Sequence, residues 1–398
     1  MSRWQKTILA ILGLMACCLL ALIGWIVYQN YLLYWDAPLG PALDLPTLPA
    51  SAPTFVPVSV STATDSAEIL WLPTVTRAPN TTPLPAYTDP PTSAPFTSCG
   101  RTDVMILLAV GTDARSDSYN YGLADVIRIV RVDFLARRVS ILEFPRDLWV
   151  KIPEISDNLK GQDHEKLNQA YLYGNPGYGY WDGPSGGPGL LGRTLQVNFG
   201  VHADHYIAVN MRTFEAIVNA VDGIDLYLPK EVDARTSDDT RETLYFPAGT
   251  QHLDGAAALQ LARLRNDGVF ERADTQNRVL CALRDKLVAP GVLPKIPEII
   301  NSFTGNVQTD LSPEQIGQLA CLGTQVSPDW ILFASFPQEL FKGKRVYDPV
   351  FKKRIFVWDA DFDILRGYVT QFQAGAWPTP GAVEETGEST PFCPPPGQ

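Results

Sequence analysis

Positive charge is in short supply in this chain. Its 32 lysines and arginines face 43 aspartates and glutamates, a formal net charge of −11. A balance of that sign lacks the broad basic field with which nucleic-acid binders hold phosphate backbones, so no nucleic-acid partner is expected. Any anionic ligand must instead meet a local cluster of cations. Histidine is scarcer still: His164, His202, His205 and His252 are the only four, and they show neither triad-like nor zinc-like spacing. The six cysteines lack close metal-ligand spacing as well. No internal repeat is present, which argues against solenoids and propellers.

One long uncharged apolar run does occur, from Ile8 to about Tyr28, with Arg3 and Lys6 before it and Asp36 after it. Its length suits a membrane-spanning helix, and the basic flank predicts a cytoplasmic N-terminus and an exported remainder. A cleaved signal peptide is the competing reading; the run is long for one, and no small-x-small site follows. The expected order is a cytoplasmic N-terminus at 1–7, a transmembrane helix at 8–30, a Pro/Ser/Thr-rich linker at 31–98, an extracytoplasmic domain at 99–374 and a disordered tail at 375–398. The 33 prolines cluster at the two ends, so the middle is the globular part. The expected localisation is the cell membrane, single-pass, with the domain outside. In that compartment Cys99, Cys281, Cys321 and Cys393 suggest two disulfides, free buried thiols being the alternative. Of the three pairings, Cys281–Cys321 (both in helical patterns) with Cys99–Cys393 (tying the domain ends) is the favoured one.

Within the domain, Asp103–Gly111 is nearly all apolar, as a strand buried on both faces requires. Val126–Asp133 and Arg138–Phe144 read as two more strands joined by a short turn. Helical patterns follow at Lys166–Tyr173, Pro188–Val197 and Met211–Val221, with strands at Tyr206–Val209 and Ile224–Leu228. Asp254 is placed to N-cap a helix over Gly255–Leu261. Helices are expected at Ala273–Leu287 and Pro313–Leu322, strands at Ile331–Ala334 and Arg354–Val357, and a closing helix at Asp361–Phe372. The alternation predicts an α/β fold, layered α-β-α around a central mixed sheet, preceded by one transmembrane helix. Trp330, Phe333, Phe336 and Trp358 are read as core residues in preference to glycan platforms.

If the first three strands run up, down and up, Gly111-Thr112-Asp113, Asp125 and Pro145-Arg146-Asp147 all meet at one sheet edge, with Arg115 in the loop beside them. Two carboxylates and two guanidinium groups suit a Mg²⁺-bound pyrophosphate: the carboxylates hold a hard cation and the arginines take phosphate oxygens in pairs. Singly, each residue is equally well a surface ion pair. A second cluster holds Arg263, Arg265, Arg272 and Gln276. Arg263 and Arg265 converge only if the preceding helix stops near Ala262, because residues two apart share a face in extended chain and not in a helix. A solvated basic helix face is the competing reading of this cluster. Asp147 is a weak candidate for a general base, or a brace for Arg146.

Several segments resemble motifs of the LytR-CpsA-Psr family: Leu107-Leu108-Ala109-Val110-Gly111-Thr112-Asp113-Ala114-Arg115, Ala124-Asp125, Phe144-Pro145-Arg146-Asp147, Lys166-Leu167-Asn168-Gln169-Ala170-Tyr171, Gly186-Gly187, Val221-Asp222-Gly223-Ile224, Leu253-Asp254-Gly255 and Arg263-Leu264-Arg265 with Arg272 and Gln276. The likeness runs in order over a motif core at 100–290. It implies a Mg-dependent phosphoglycosyl (glycopolymer) transferase that moves a phosphoglycan from a polyprenyl-pyrophosphate carrier to peptidoglycan or a related wall acceptor. By the same resemblance, Asp113 and Asp125 hold Mg²⁺. Arg115, Arg146, Arg263, Arg265, Arg272 and Gln276 bind the pyrophosphate, and a hydrophobic tunnel takes the lipid. Asp113, Asp125, Arg146 and Arg263 are the expected catalytic set. A pyrophosphatase acting on the same donor and a non-catalytic lipid- or glycan-binding envelope protein are the alternatives. Three positions depart from the family pattern: Thr275-Gln276 where Arg-Gln is common, Gln169 in place of His, and Glu143 where Ser is frequent.

Overall fold

A computed structural model describes residues 38–46, 99–100, 102–114, 119–235, 244–264, 269–289, 291–292, 307–350, 352–378 and 393. The expected span at 8–30 and most of the linker and tail lie outside the described residues, as do Arg115 and Arg265. Among the described residues no helix is long and apolar enough to cross a membrane.

The chain opens with three strands, β1 (Val104–Thr112), β2 (Ala124–Asp133) and β3 (Arg138–Glu143), then the short pair β4 (Trp149–Lys151) and β5 (His164–Lys166). Helices α1 (Leu167–Gly174) and α2 (Gly186–Phe199) lead to β6 (His205–Asn210), α3 (Met211–Ala220) and β7 (Ile224–Leu228). Next come β8 (Val232–Asp233), β9 (Tyr245–Phe246), β10 (Gly249–Leu253), α4 (Gly255–Arg263) and α5 (Val269–Val288). The remainder is β11 (Val307–Thr309), α6 (Pro313–Gln325), β12 (Ile331–Ala334), β13 (Lys342–Asp348), β14 (Lys353–Asp359) and α7 (Phe362–Ala374).

The main sheet has six strands in the order β11-β6-β1-β2-β3-β12. β1–β2 and β2–β3 are antiparallel, as expected, whereas β1–β6 and β3–β12 are parallel, so the sheet is mixed. Alternation along β1 defines the layers. Ile106, Leu108 and Val110 enter a large cluster with Leu167, Ala170, Leu190, Leu195, Leu365 and Phe372, so α1, α2 and α7 cover that face. Met105 and Leu107 point the other way, onto Leu311 and Leu322, with Ile316 and Leu319 of α6 packed alongside. A third cluster joins α3, α4, α5, β7 and β10 through Val218, Ile224, Leu253, Leu261 and Val279. Helix starts follow the local rules: Asp254 accepts from the Ala257 amide at 2.8 Å, and Ser312 and Gln315 form a reciprocal capping box on α6. The turn between α3 and β7 needs Gly223, at φ 80°, because a Cβ there would lie 2.7 Å from the Leu253 carbonyl oxygen.

Two disulfides form, but not in the expected pairing. Cys99 joins Cys321 and Cys281 joins Cys393. The expectation for Cys281–Cys321 rested on both lying in helices, and helical state says nothing about which faces meet. Cys99 packs with α6 against the β1 face, while Cys281 sits with Val326, Ile331 and Cys393 beside Ile141 and Phe333. Each helix is therefore tied to the end of the domain it packs near. Phe336 is core, as expected; Trp330 is not, being 43% exposed. The strand β13, Lys-Gly-Lys-Arg-Val-Tyr-Asp, gave no apolar signal because most of it is exposed.

Candidate active site

The end of β1 positions the first carboxylate. A Cβ on Gly111 would lie 3.0 Å from the Val126 Cβ, and the ladder shifts register between Gly111 and Thr112. Past that bulge, Asp113 faces back across the connection to β2. Its Oδ1 accepts from the Leu123 amide at 2.6 Å, and its own amide donates to the Leu123 carbonyl at 3.1 Å. Asp113 thus stands fixed at the edge with one carboxylate oxygen committed to backbone.

Asp125, the second residue of β2, accepts a hydrogen bond from Arg146 Nη1 through Oδ1. Its carbonyl oxygen accepts from Arg272 Nη2 at 3.0 Å, which brings α5 onto the same strand end. The side chains of Asp125 and Arg146 stay 23% and 14% exposed, enough for a ligand to reach them. Arg146 is braced from behind: Asp147 Oδ2 lies 3.4 Å from its Nε, and Asp147 Oδ1 accepts from Lys166 Nζ at 2.6 Å. The backbone of this segment is held from two elements. The Arg146 carbonyl accepts from the Asn168 amide at 3.0 Å, the Leu148 carbonyl from Leu167 at 2.8 Å, and the Asp147 carbonyl from Trp358 at 2.9 Å. Asp147 thus lies between two cations, Arg146 and Lys166, in the position of a brace for Arg146.

Below this edge lies a second, deeper arginine. Arg128 is opposite Glu143 in the β2–β3 register and pairs with it at 2.8 Å. The same Nη2 reaches Gln276 Oε1 at 3.3 Å, and Gln276 Nε2 donates to the Ala262 carbonyl at 3.1 Å. Arg128, Arg272 and Gln276 are all buried. Glu143, a departure from the family pattern, therefore has a definite role: it is the counter-ion of Arg128. Nothing in the motifs pointed to Arg128; the available signal was a pair of arginines, Arg128 and Arg131, inside an otherwise apolar strand.

The sheet edge carries Asp113 and Asp125 on neighbouring strands, and Asp125 contacts Arg146 and Arg272, while Gln276 lies one layer further in. Arg263 is not in this contact set. It is exposed in the last turn of α4, which continues one residue beyond Ala262 before Leu264 turns extended at φ −61°, ψ 146°. Among the described residues no group of three or more His, Cys, Asp or Glu side chains is arranged to hold a metal. Two carboxylates with arginines behind them still fit Mg²⁺, which keeps several waters and borrows ligands from substrate phosphates instead of needing a full protein cage. Behind Arg146, the buried Asn168 Oδ1 and Gln169 Oε1 have no hydrogen-bond partner among the described residues. Further along the same wall, Glu165 is fully buried beside Asp348, and burial first, then the Asp348 charge, pushes its carboxyl up to about 8.

Residues 88–353 match the LytR_cpsA_psr family. The chain belongs to this family. Among LytR-CpsA-Psr relatives, it is 27% identical over 208 residues to the polyisoprenyl-teichoic acid–peptidoglycan teichoic acid transferase TagV of Bacillus subtilis (strain 168), covering 52% of this chain and 49% of TagV. It is 28% identical over 220 residues to the transferase of the same description, TagU, of Oceanobacillus iheyensis, covering 54% of this chain and 62% of TagU. The matched part of the chain thus spans 49% and 62% of the length of these curated relatives, less than two thirds of either. The crystal structure of Bacillus subtilis TagV superposes with a TM-score of 0.51 at 22% identity, over 68% of this chain and 98% of that one, which establishes the shared fold.

Proposed function

We propose that this LytR-CpsA-Psr protein is a membrane-anchored transferase that moves a phosphoglycan from a polyprenyl-pyrophosphate carrier to peptidoglycan or a related cell-wall acceptor. The observation that carries the reading is Asp125 held between Arg146 and Arg272 at the strand end next to Asp113. The transferase descriptions of TagV and TagU support it. The two disulfides suit an extracytoplasmic domain, and the apolar run at 8–30 suits its anchor.

In the transfer, an acceptor hydroxyl oxygen attacks the glycan-side phosphorus of the pyrophosphate. A new phosphodiester bond forms, the phosphoanhydride bond breaks, and its electron pair leaves with the polyprenyl monophosphate. The acceptor proton passes to solvent or to the departing phosphate. Arg146, with Arg272 behind it, neutralises charge that spreads over the phosphate oxygens, and the brace from Asp147 keeps Arg146 from having to reorganise during the reaction. Lys166 adds a further cation on the same wall. Asp113 and Asp125 would hold Mg²⁺, which supplies charge neutralisation at the pyrophosphate when bound. Arg263, exposed at the end of α4, and Arg115 and Arg265, with it, complete the proposed phosphate-binding set.

The test uses the full chain in detergent with a polyprenyl-pyrophosphate glycan, Mg²⁺ and a peptidoglycan oligomer, followed by mass spectrometry. Glycan phosphate joined to the oligomer is expected, and Arg146→Ala should slow its formation by roughly 10²–10³-fold. Release of glycan phosphate without joining to the oligomer would replace the transferase with a hydrolase. An undiminished rate in Arg146→Ala would remove this sheet edge from the chemistry.

A further inference from the structure

The two-stranded hairpin β13–β14 stands outside the site and uses none of its residues, yet it has an unusual surface. Between positions 342 and 359 it carries six cations, Lys342, Lys344, Arg345, Lys352, Lys353 and Arg354, against two carboxylates, Asp348 and Asp359, in a chain whose net charge is −11. The register sorts its residues into two faces. Gly343 pairs with Trp358, Arg345 with Phe356, and Tyr347 with Arg354; these share one face, while Val357 and the fully buried Asp348 belong to the other. On the outer face Tyr347 is 59% and Phe356 41% exposed, and Arg345 and Arg354 are exposed as well. Neither arginine has a carboxylate partner among the described residues. Gly343 leaves room for the rings: a Cβ there would lie 2.8 Å from Phe356, which packs edge-to-face on Trp358 with centroids 5.0 Å apart.

The hairpin is anchored to the candidate site. The Trp358 amide donates to the Asp147 carbonyl at 2.9 Å and Trp358 forms a bridge with Leu148, so the foot of this face rests on the residue beside Arg146. From that foot outward the face presents Trp358, then Phe356 with Arg345, then Tyr347 with Arg354, in steps of roughly 6.6–6.8 Å. Flat rings offer stacking surface for the C–H face of a pyranose, and a guanidinium takes a carboxylate in a paired hydrogen bond. Rings and arginines cross-paired along one pleated face match a polymer that repeats sugar rings and carboxylates.

We infer that the outer face of β13–β14, through Arg345, Tyr347, Arg354 and Phe356, binds a carboxylate-bearing glycan strand and leads it to Arg146 as the acceptor; this rests on the transferase reading for its purpose, not for its binding. The test is sedimentation of the full chain in detergent with insoluble peptidoglycan. Parallel arms use the same peptidoglycan with its carboxylates amidated, and anionic phospholipid vesicles. Wild-type protein is expected to co-sediment with peptidoglycan, and roughly tenfold or more weaker binding is expected on amidation and in the Arg345→Gln/Arg354→Gln variant. Tyr347→Ser, an exposed change that keeps the cations, should weaken both intact and amidated arms. Circular dichroism melts of the variants confirm that the hairpin change leaves the fold intact. Equal binding by wild type and the arginine variant overturns the inference even if transfer is observed. Loss confined to the vesicle arm overturns it in favour of a membrane face. If peptidoglycan binding is lost in the variants while wild-type protein shows no transfer, the platform stands and the transferase reading falls alone.

Discussion

The candidate site is assembled from two halves that are held in different ways. The strand half, Asp113, Asp125 and Arg146, sits on β1–β3, whose ladders run without interruption except at the Gly111/Thr112 bulge and whose side chains are buried on both faces. The helix half, Arg272 and Gln276, sits on α5, which has a hydrophobic cluster of its own with α3, α4, β7 and β10. Among the polar contacts that join them are Arg272 to the Asp125 carbonyl and Gln276 to Arg128. The strand half is thus built into a sheet that cannot shift one residue without moving a whole row of core side chains, while Arg272 and Gln276 ride on a helix with a core of its own. For the lipid-linked donor proposed above, that division would let the helix half yield while the strand half stays in place.

The sharpest way to break this comparison is at Arg128, where the halves meet. Glu143→Ala should leave a buried guanidinium without its counter-ion and cost about 3–5 kcal/mol, read as a fall in the urea midpoint. A double change, Arg128→Met with Glu143→Leu, should recover most of that loss. A single-variant cost below about 1 kcal/mol would show that water reaches Arg128 and that the strand half is looser than described. A smaller effect, aimed at the helix half, comes from the Cys281–Cys393 disulfide, which ties α5 to the C-terminal end of the chain. Replacing both cysteines with serine should cost roughly 2–4 kcal/mol. Amide exchange should rise along α5 well before it rises along β1 and β2; uniform loosening would mean the halves behave as one unit.

The mildest probe is pH. The Glu165 carboxyl is pushed from an ordinary 4.5 up to about 8 by burial and by the neighbouring Asp348. The folded chain therefore keeps a proton that the unfolded chain gives up as pH rises past 4.5. The stabilisation is complete below 4.5 and is lost progressively towards 8, with a slope of at most about 1.4 kcal/mol per pH unit. Glu165→Gln should flatten this dependence in melts between pH 5 and 8. An unchanged slope in the variant would assign the titration to another group.

Much of the strand half was legible in the residues. An apolar run at Asp103–Gly111 with two following strands is enough to place Asp113, Asp125 and Arg146 at one edge, because antiparallel neighbours bring loop ends together regardless of side-chain detail. The N-cap at Asp254 was legible for the same local reason. Arg128 was not, since an arginine in a strand carries the same sequence signal whether it faces solvent or a buried glutamate. Nor was the hairpin β13, whose exposed Lys-Gly-Lys-Arg stretch has no apolar alternation. Trp330 failed in the opposite direction, an aromatic residue left on the surface.

Local patterns alone determined the α/β class, the order of helices α1–α7 and of β1–β3, β6, β7, β12 and β14, and the identity of the charged residues at the strand ends, because hydrophobic period and capping act over a few residues. Tertiary packing decided which cysteines paired, which carboxylate answered Arg128, and that Trp358 would dock its hairpin on Asp147. Those outcomes depend on which faces meet across long separations, 222 residues in the case of Cys99 and Cys321. The chain specifies such meetings only through the whole core, by burying every apolar face at once.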